Sequence, residues 1–398
     1  MKVLVLNCGS SSVKFQLIDT NDQHALARGS VSKIGMPGAL LTMDSPGKDH
    51  VKISGEILDH NIAIENILNL LVHEEFGVIK DKSEIEGIGH RVVHGGEYFS
   101  DSVIIDDEVR KKIQHCIDYA PLHNPHNLKG ITACMRILPG IPMVGVFDTA
   151  FHQGMPDYAY IYGIPYILYK RYGIRRYGFH GTSHYYVSRK ARDLLKEDIE
   201  KLNIITCHLG NGCSIAAVKG GVSVDTSMGF TPLEGLLMGT RSGDMDPAII
   251  LQVMAREELT SAEALTMLNK HSGLVGISGT SSDMRDIEER MQDGSKQAEL
   301  AMNVFCYRLK KYIGSYMAVL GRVDAVVFTG GIGENSDAVR QKSLEGFEEF
   351  GIIVDTKKNK NTSAEIKDIS GKDSKTRVFV IPTNEELVIA IDTAKLIE

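Results

Sequence analysis

The sequence predicts an α/β protein of two related domains, and three stretches predict it. Residues 1–17, MKVLVLNCGSSSVKFQL, run from a continuous apolar segment (Val3, Leu4, Val5, Leu6) through a small-residue turn to an alternating segment in which Val13, Phe15 and Leu17 interleave with Lys14 and Gln16. The first pattern is that of a strand buried on both faces, the second that of the return strand of a hairpin. Residues 203–218, NIITCHLGNGCSIAAV, repeat strand, turn and strand, and residues 323–336, VDAVVFTGGIGENS, carry a buried strand into a glycine turn and a helix start. Turns of small residues let backbone N–H groups and hydroxyls converge on an anion. Three of them at strand ends suggest one nucleotide held between two related domains, the first two matching in pattern rather than identity.

Length agrees, since 398 residues exceed one ordinary core and fit two domains. The net charge of −7 argues against a nucleic-acid surface and for a substrate gripped by a few local positive groups. No apolar run reaches the length of a membrane span, and Met1 leads directly into a strand, so a cytoplasmic protein without membrane contact is expected. The six cysteines, Cys8, Cys116, Cys134, Cys207, Cys213 and Cys306, form no CxxC and sit mostly in apolar patterns, which predicts free thiols.

After the opening hairpin, residues 19–52 read as further hairpin strands, and residues 57–76 as an amphipathic helix with Ile64, Ile67, Leu68 and Leu71 inward. Residues 85–96, IEGIGHRVVHGG, end a strand at a glycine corner; Arg91 there is either a surface ion-pair partner or an anchor for a carboxylate or phosphate. Residues 106–119 predict a helix stopped by Pro121, and PLHNPHN starts another that ends near Pro139. The strand VGVFD places Asp148 at its carboxyl end, where ligands gather in open α/β sheets; a helix N-cap is the alternative. Residues 151–186 hold nine of the 14 tyrosines and begin the second domain; within them YGFHGTSH sets His180 before a helix start, as a structural residue or an anion donor. Residues 221–247 form a glycine-rich, ordered active-site loop containing Arg241. Helices are predicted over 247–256, 261–270, 295–320 and 336–350, the last closed by Gly351. Residues 357–375 read as an exposed lysine-rich loop with a short hairpin, 378–382 as a strand, and Thr383 to Glu386 has the spacing of a capping box opening a final helix.

The chain has no GxxxxGK[ST] loop, protein-kinase signature, GxSxG or HExxH. What remains is three phosphate-type turns, two arginines in glycine corners, a strand-end aspartate and a histidine beside Gly181. Phosphoryl transfer to an anionic acceptor needs such a set: donors for the phosphates, a magnesium ion, and cationic groups on the moving phosphoryl.

The motifs NCGSSSVKF, HRVVHGG, VFDTAFH, YGFHGTSH, HLGNGCS, MGTRSGDMDP, FTGGIGEN and PTNEE run in register from end to end, and with them the sequence resembles the acetate kinases. That family shares its superfamily with sugar kinases, actin and the 70-kilodalton chaperones. The resemblance implies two duplicated ribonuclease-H-like, actin-like ATPase domains with mixed β-sheets flanked by helices and an interdomain nucleotide cleft. Residues 1–150 with 384–398 would form the acyl, phosphate and metal side; residues 151–383 would bind nucleotide and make a homodimer contact. It implies reversible in-line transfer of the ATP γ-phosphoryl group to acetate, giving acetyl phosphate and ADP. By position, Asn7 and Glu385 would hold Mg2+, with Mn2+ as a substitute. Lys14, His208, Leu209, Gly210, Asn211, Gly212, Asp283, Met284, Arg285, Gly331, Ile332, Gly333, Glu334 and Asn335 would hold ATP. Arg91 would bind the acyl carboxylate, Asp148 would orient acceptor and metal water, and His180 and Arg241 would neutralise the transferring phosphoryl. A carboxylate is already a nucleophile at neutral pH, which fits orientation rather than general-base work for Asp148.

Val93, Leu122, Phe179 and Pro232 match the family's acyl pocket and suit acetate, with propionate a poorer fit; one methylene discriminates by only about 1–3 kcal/mol. A propionate or butyrate kinase is therefore the rival within the class, and an actin- or chaperone-like ATPase the rival outside it. Arg91 and Arg241 argue against the latter.

Overall fold

The opening hairpin pairs β1 (Lys2–Cys8) antiparallel with β2 (Ser12–Asp19), Leu6 opposite Phe15 and Asn7 opposite Lys14. The turn is thus shorter than the sequence suggests: Asn7 and Cys8 keep their strand pairing, and only residues 9–11 reverse the chain. The computed structural model describes residues 1–360 and 365–398, and within it the chain divides into two units, Met1–Ala150 with Asn384–Glu398, and Phe151–Thr383.

In the first unit β3 (His24–Ser32), β4 (Ala39–Asp44) and β5 (Val51–Gly55) continue the meander, while β6 (Gly87–Val92) and β8 (Met143–Phe147) add in parallel on the other side of β1, and β7 (Val103–Ile104) closes the edge. The sheet order is β5-β4-β3-β2-β1-β6-β8-β7. Helices His60–Leu71 and Asn124–Ile137 pack on one another, and the helix Glu385–Ile397 packs on β1, β6 and β8, where Val3 to Leu6, Ile88 and Met143 to Phe147 are buried. Gly87 and Gly89 let that last helix approach, since a Cβ at Gly89 would lie 2.5 Å from Ile389 Cγ2.

The second unit has β9 (Asn203–Leu209), β10 (Cys213–Lys219), β11 (Val222–Thr226), β12 (Ala325–Thr329), β13 (Lys367–Asp368) and β14 (Arg377–Val380) in the order β11-β10-β9-β12-β14-β13. Its β9, β10, β11, β12 and β14 reproduce β1, β2, β3, β6 and β8: two antiparallel neighbours on one side, two parallel on the other. The repeated hairpin in the sequence is the visible trace of this duplicated topology.

Several boundaries differ from the sequence expectation for local reasons. The first helix begins only at His60, where Asp59 accepts from Ile62 N, and ends at Leu71. The helix expected over 336–350 runs Asp337–Leu344, because Gly346 takes φ +82° and a 3-10 turn, Glu348–Phe350, follows. The final helix is capped by Asn384, whose side chain accepts from Leu387 N at 3.1 Å, rather than by Thr383; the Thr383 N–H donates to Glu334 instead. Of the lysine-rich loop expected over 357–375, residues 361–364 lie outside the described residues; the rest includes β13, paired with β14. All six cysteines are buried free thiols. Among the described residues no helix is long and apolar enough to cross a membrane.

Candidate active site

In the first unit, the carboxyl ends of three adjacent parallel strands present Asn7 (β1), Arg91 (β6) and, one residue past β8, Asp148. Arg91 Nε donates to Asp148 Oδ1 at 2.9 Å, Nη2 to Oδ2 at 2.5 Å, and Nη1 to Asn7 Oδ1 at 3.1 Å. Asp148 is 1% exposed, and its own N–H donates to Val92 O. Burial works against the Arg91 charge, but Asp148 and then Glu385 outweigh it and hold the guanidinium more firmly protonated than usual. Three of its five N–H groups are engaged, and two remain for a further anion.

The helix Asn124–Ile137 fixes this corner through two buried asparagines that the sequence reading did not single out. Asn127 accepts from Val93 N and donates to Cys8 O; Asn124 accepts from His94 N and donates to His94 O. The signal was the PLHNPHN stretch, where polar residues precede an apolar helix face. His60 Nε2 sits 2.7 Å from Gly9 O and holds the turn from the other side. Lys14 is exposed on β2, opposite Asn7. Glu385, in the first turn of the last helix, has its carboxyl raised above the usual range by burial, against the pull of Arg91 and Lys14. Val93 is buried at the strand end, whereas Leu122 is 58% exposed.

In the second unit, His180 adopts φ +56°, a left-handed conformation uncommon for a residue with a side chain, immediately before the helix Gly181–Leu195. Its Nδ1 lies 2.9 Å from Ser214 Oγ, and its ring stacks on His208 at 4.2 Å. Arg241 is half-buried in the glycine-rich loop; Nη1 donates to Pro232 O at 3.2 Å, and among the described residues no carboxylate pairs with it. Burial pulls its pKa down, the condition of a cation held ready for an anion. The loop is ordered from within. Asp244 accepts from Gly235 N and Tyr312, and Arg176 joins Glu234 at 2.5 Å while donating to the carbonyls of Thr226, Ser227 and Met228. Phe179 is 2% exposed, and its carbonyl lies 3.0 Å from His152 Nε2.

A cavity of about 720 Å³ opens in the same unit, and its lining includes Gly210, Asn211, Asp283, Met284, Arg285, Gly331, Ile332 and Asn335. Its size suits a nucleotide. Asp283 caps the helix Met284–Gln292 and pairs with Arg285 at 2.6 Å, which draws its carboxyl down to about 2. Of the other expected nucleotide residues, Leu209 and Gly333 are buried, and Glu334 turns inward to accept from Gly330 N at 2.9 Å. His208 and Gly212 stand next to His180. Ser282, Glu288 and Ser336 also line the cavity. Glu288 lies one helical turn after Met284, a spacing that would have signalled it.

The acetokinase family model matches residues 2–391. The chain belongs to the acetokinase family. The acetate kinase of Thermoanaerobacter pseudethanolicus is 59% identical over 399 residues, covering 100% of this chain and 99% of that one. Among solved structures, Porphyromonas gingivalis acetate kinase superposes with a TM-score of 0.96 at 49% identity over 100% of both chains. A propionate kinase from Francisella tularensis superposes at 0.93 with 44% identity over 99% of both. Membership brings with it the actin-like ATPase fold, whose doubled sheet topology was described above.

Proposed function

We propose that Arg91 anchors the acyl carboxylate, and that His180 and Arg241 take up the charge of a phosphoryl group passed to it directly from ATP. The reaction itself is that of the family: this chain phosphorylates acetate with ATP, giving acetyl phosphate and ADP. The observation carrying the assignment is the Arg91 guanidinium, fixed bidentately on a buried aspartate with two N–H groups to offer. Asp148 then acts by holding Arg91 charged and in place, and the acceptor oxygen needs no base because it is already ionised.

Val93, Leu122, Phe179 and Pro232 are proposed as the apolar residues that contact the acyl methyl. The 720 Å³ cavity is proposed to take the nucleotide against Asn211, Asp283, Met284, Arg285, Gly331, Ile332 and Asn335. His208, Gly212 and Lys14 are proposed to contact the phosphates. Leu209, Gly333 and Glu334 support those turns.

A divalent metal accompanies the nucleotide. Mg2+ fits the residues present: Asn7 and Glu385 offer only hard oxygen donors, and the buried Glu385 carboxyl lacks enough positive charge to bring it to its ordinary range. Bound there, the ion would neutralise phosphate charge. Among the described residues no cluster of three His, Cys, Asp or Glu side chains could hold a metal alone, as suits an ion that arrives with phosphate ligands.

Acetate is proposed as the preferred acid over propionate, from the same four apolar residues. Initial rates with acetate, propionate and butyrate test this: kcat/KM should fall with each added methylene, and a maximum at propionate would reverse the assignment. A homodimer in the cytoplasm is the expected setting, tested by sedimentation at micromolar concentration.

A further inference from the structure

Behind His180 lies a chain of buried side chains with no assigned part in the reaction. Residues 180, 183 and 184 share one face at the start of the helix Gly181–Leu195, and they meet Thr206 and His208 of β9 and Ser214 of β10. Strand alternation puts Thr206 and His208 on one face, and Ser214 pairs directly with His208. His180 Nδ1 is 2.9 Å from Ser214 Oγ, His184 Nε2 2.7 Å from the same oxygen, and His184 Nδ1 2.7 Å from Thr206 Oγ1. Ser183 Oγ lies 2.8 Å from His208 Nδ1. Ser183, His184, Thr206 and Ser214 are all 0% exposed.

Proton positions follow from the closed end of this chain. Thr206 Oγ1 carries one hydrogen, and among the described residues its one side-chain partner is His184 Nδ1. A buried hydroxyl left without an acceptor is unfavourable by about 1–3 kcal/mol, so Thr206 donates. Burial, reinforced by His152 and His208, keeps His184 neutral, and its single proton therefore sits on Nε2 and is donated to Ser214. The Ser214 hydrogen then has His180 Nδ1 as its acceptor. Ser183 directs its own hydrogen to His208 Nδ1 by the same reasoning.

We propose that Thr206, His184 and Ser214 form a one-way hydrogen-bond chain that keeps Nδ1 of His180 an acceptor and its proton on Nε2, so that Nε2–H is the donor His180 turns to the phosphoryl oxygens. The three are positioning residues, and the inference rests on the phosphoryl contact of His180 proposed above. Protonating Nδ1 as well would strand the Ser214 hydrogen, or reverse the chain and strand that of Thr206. Other basic side chains lie near His180. His208 stacks on it, His184 lies beneath it with His152 5.6 Å beyond, and Arg241 Nη1 and His180 Nε2 lie 3.5 and 3.7 Å from one point above Gly212.

The test is a long-range 15N–1H correlation spectrum of the full-length, ligand-free enzyme labelled with 15N-histidine, each signal assigned by its loss in a single His→Gln variant. We expect His180, His184 and His208 to be protonated on Nε2 near neutral pH. A wild-type His180 protonated on Nδ1 overturns the inference. Thr206→Val, similar in shape but without the hydroxyl, should give mixed tautomers at His180 and a roughly tenfold lower kcat at unchanged acetate KM, and Thr206→Ser should restore both. A pure Nε2–H signal in Thr206→Val also overturns it. Because tautomers are read without substrate, failure of the phosphoryl contact shows separately, as full activity in His180→Ala.

Discussion

Arg91 and Asp148 link the stability of the strand ends to the proposed anchoring of the acyl carboxylate. Asp148 is almost wholly enclosed, and without it Arg91 would lose two charge-assisted hydrogen bonds. Asp148→Asn preserves shape but breaks the pair, and removing one member of such a pair destabilises by about 3–5 kcal/mol. Thermal unfolding should therefore show a clear drop in Tm, and kcat/KM for acetate should fall with it. Arg91→Lys keeps the charge yet lacks the planar fork, so acetate KM should rise although the fold survives. The strand-end position of Asp148 was legible from VGVFD alone. Its bond to Arg91, 57 residues away in sequence, depends on β6 lying beside β8, which no local pattern shows.

At the scale of elements, the glycine turn after β12 is built by contacts from elsewhere. Gly330 takes φ +75°, and a Cβ there would come within 2.8 Å of Leu209 O. Arg340 is 2% exposed, and its guanidinium donates to the carbonyls of Gly333, Glu334 and Asn359 and to the Asn359 side chain. It thus satisfies the end of the short helix Gly330–Asn335 that lines the cavity proposed for the nucleotide. Arg340→Met should cost about 2–4 kcal/mol by leaving buried acceptors unmade, and should raise ATP KM more than acetate KM, measured by denaturant unfolding and initial rates. The turn itself was readable as GGIGEN after an apolar run. The choice of Asn384 over Thr383 as a cap was not, because a tertiary bond to Glu334 commits the Thr383 N–H. Nor was the break at Gly346 within the helix expected over 336–350, since apolar spacing continues across it.

For the whole molecule, buried histidines set the acid limit of stability. Burial holds His90 down to about 3 and His152 to about 4, and His184 well below its ordinary value. Each group is neutral when folded but gains a proton near pH 6.5 when unfolded, so its contribution is complete above that pH. As pH falls from 6.5 toward the folded values the unfolded state binds more protons, and stability is lost by roughly 1 kcal/mol per pH unit per histidine. Denaturant midpoints should fall between pH 6.5 and about 4, and His152→Gln should flatten that slope. The duplicated sheet was legible in the repeated hairpins because strand alternation and small-residue turns are local. The pairing of β12 with both β9 and β14 was not, because it joins segments more than 50 residues apart.

The measurement that bears most directly on the proposed transfer is acyl phosphate formation, trapped with hydroxylamine, from Mg2+ and ATP with formate, acetate, propionate and butyrate, in the wild type and in Arg91→Ala. Our account predicts most product with acetate and, in Arg91→Ala, a loss of roughly 3–4 kcal/mol of transition-state stabilisation, several hundredfold in kcat/KM. Acetate-dependent product formed equally well by Arg91→Ala would contradict the placement of the acceptor on which the account depends.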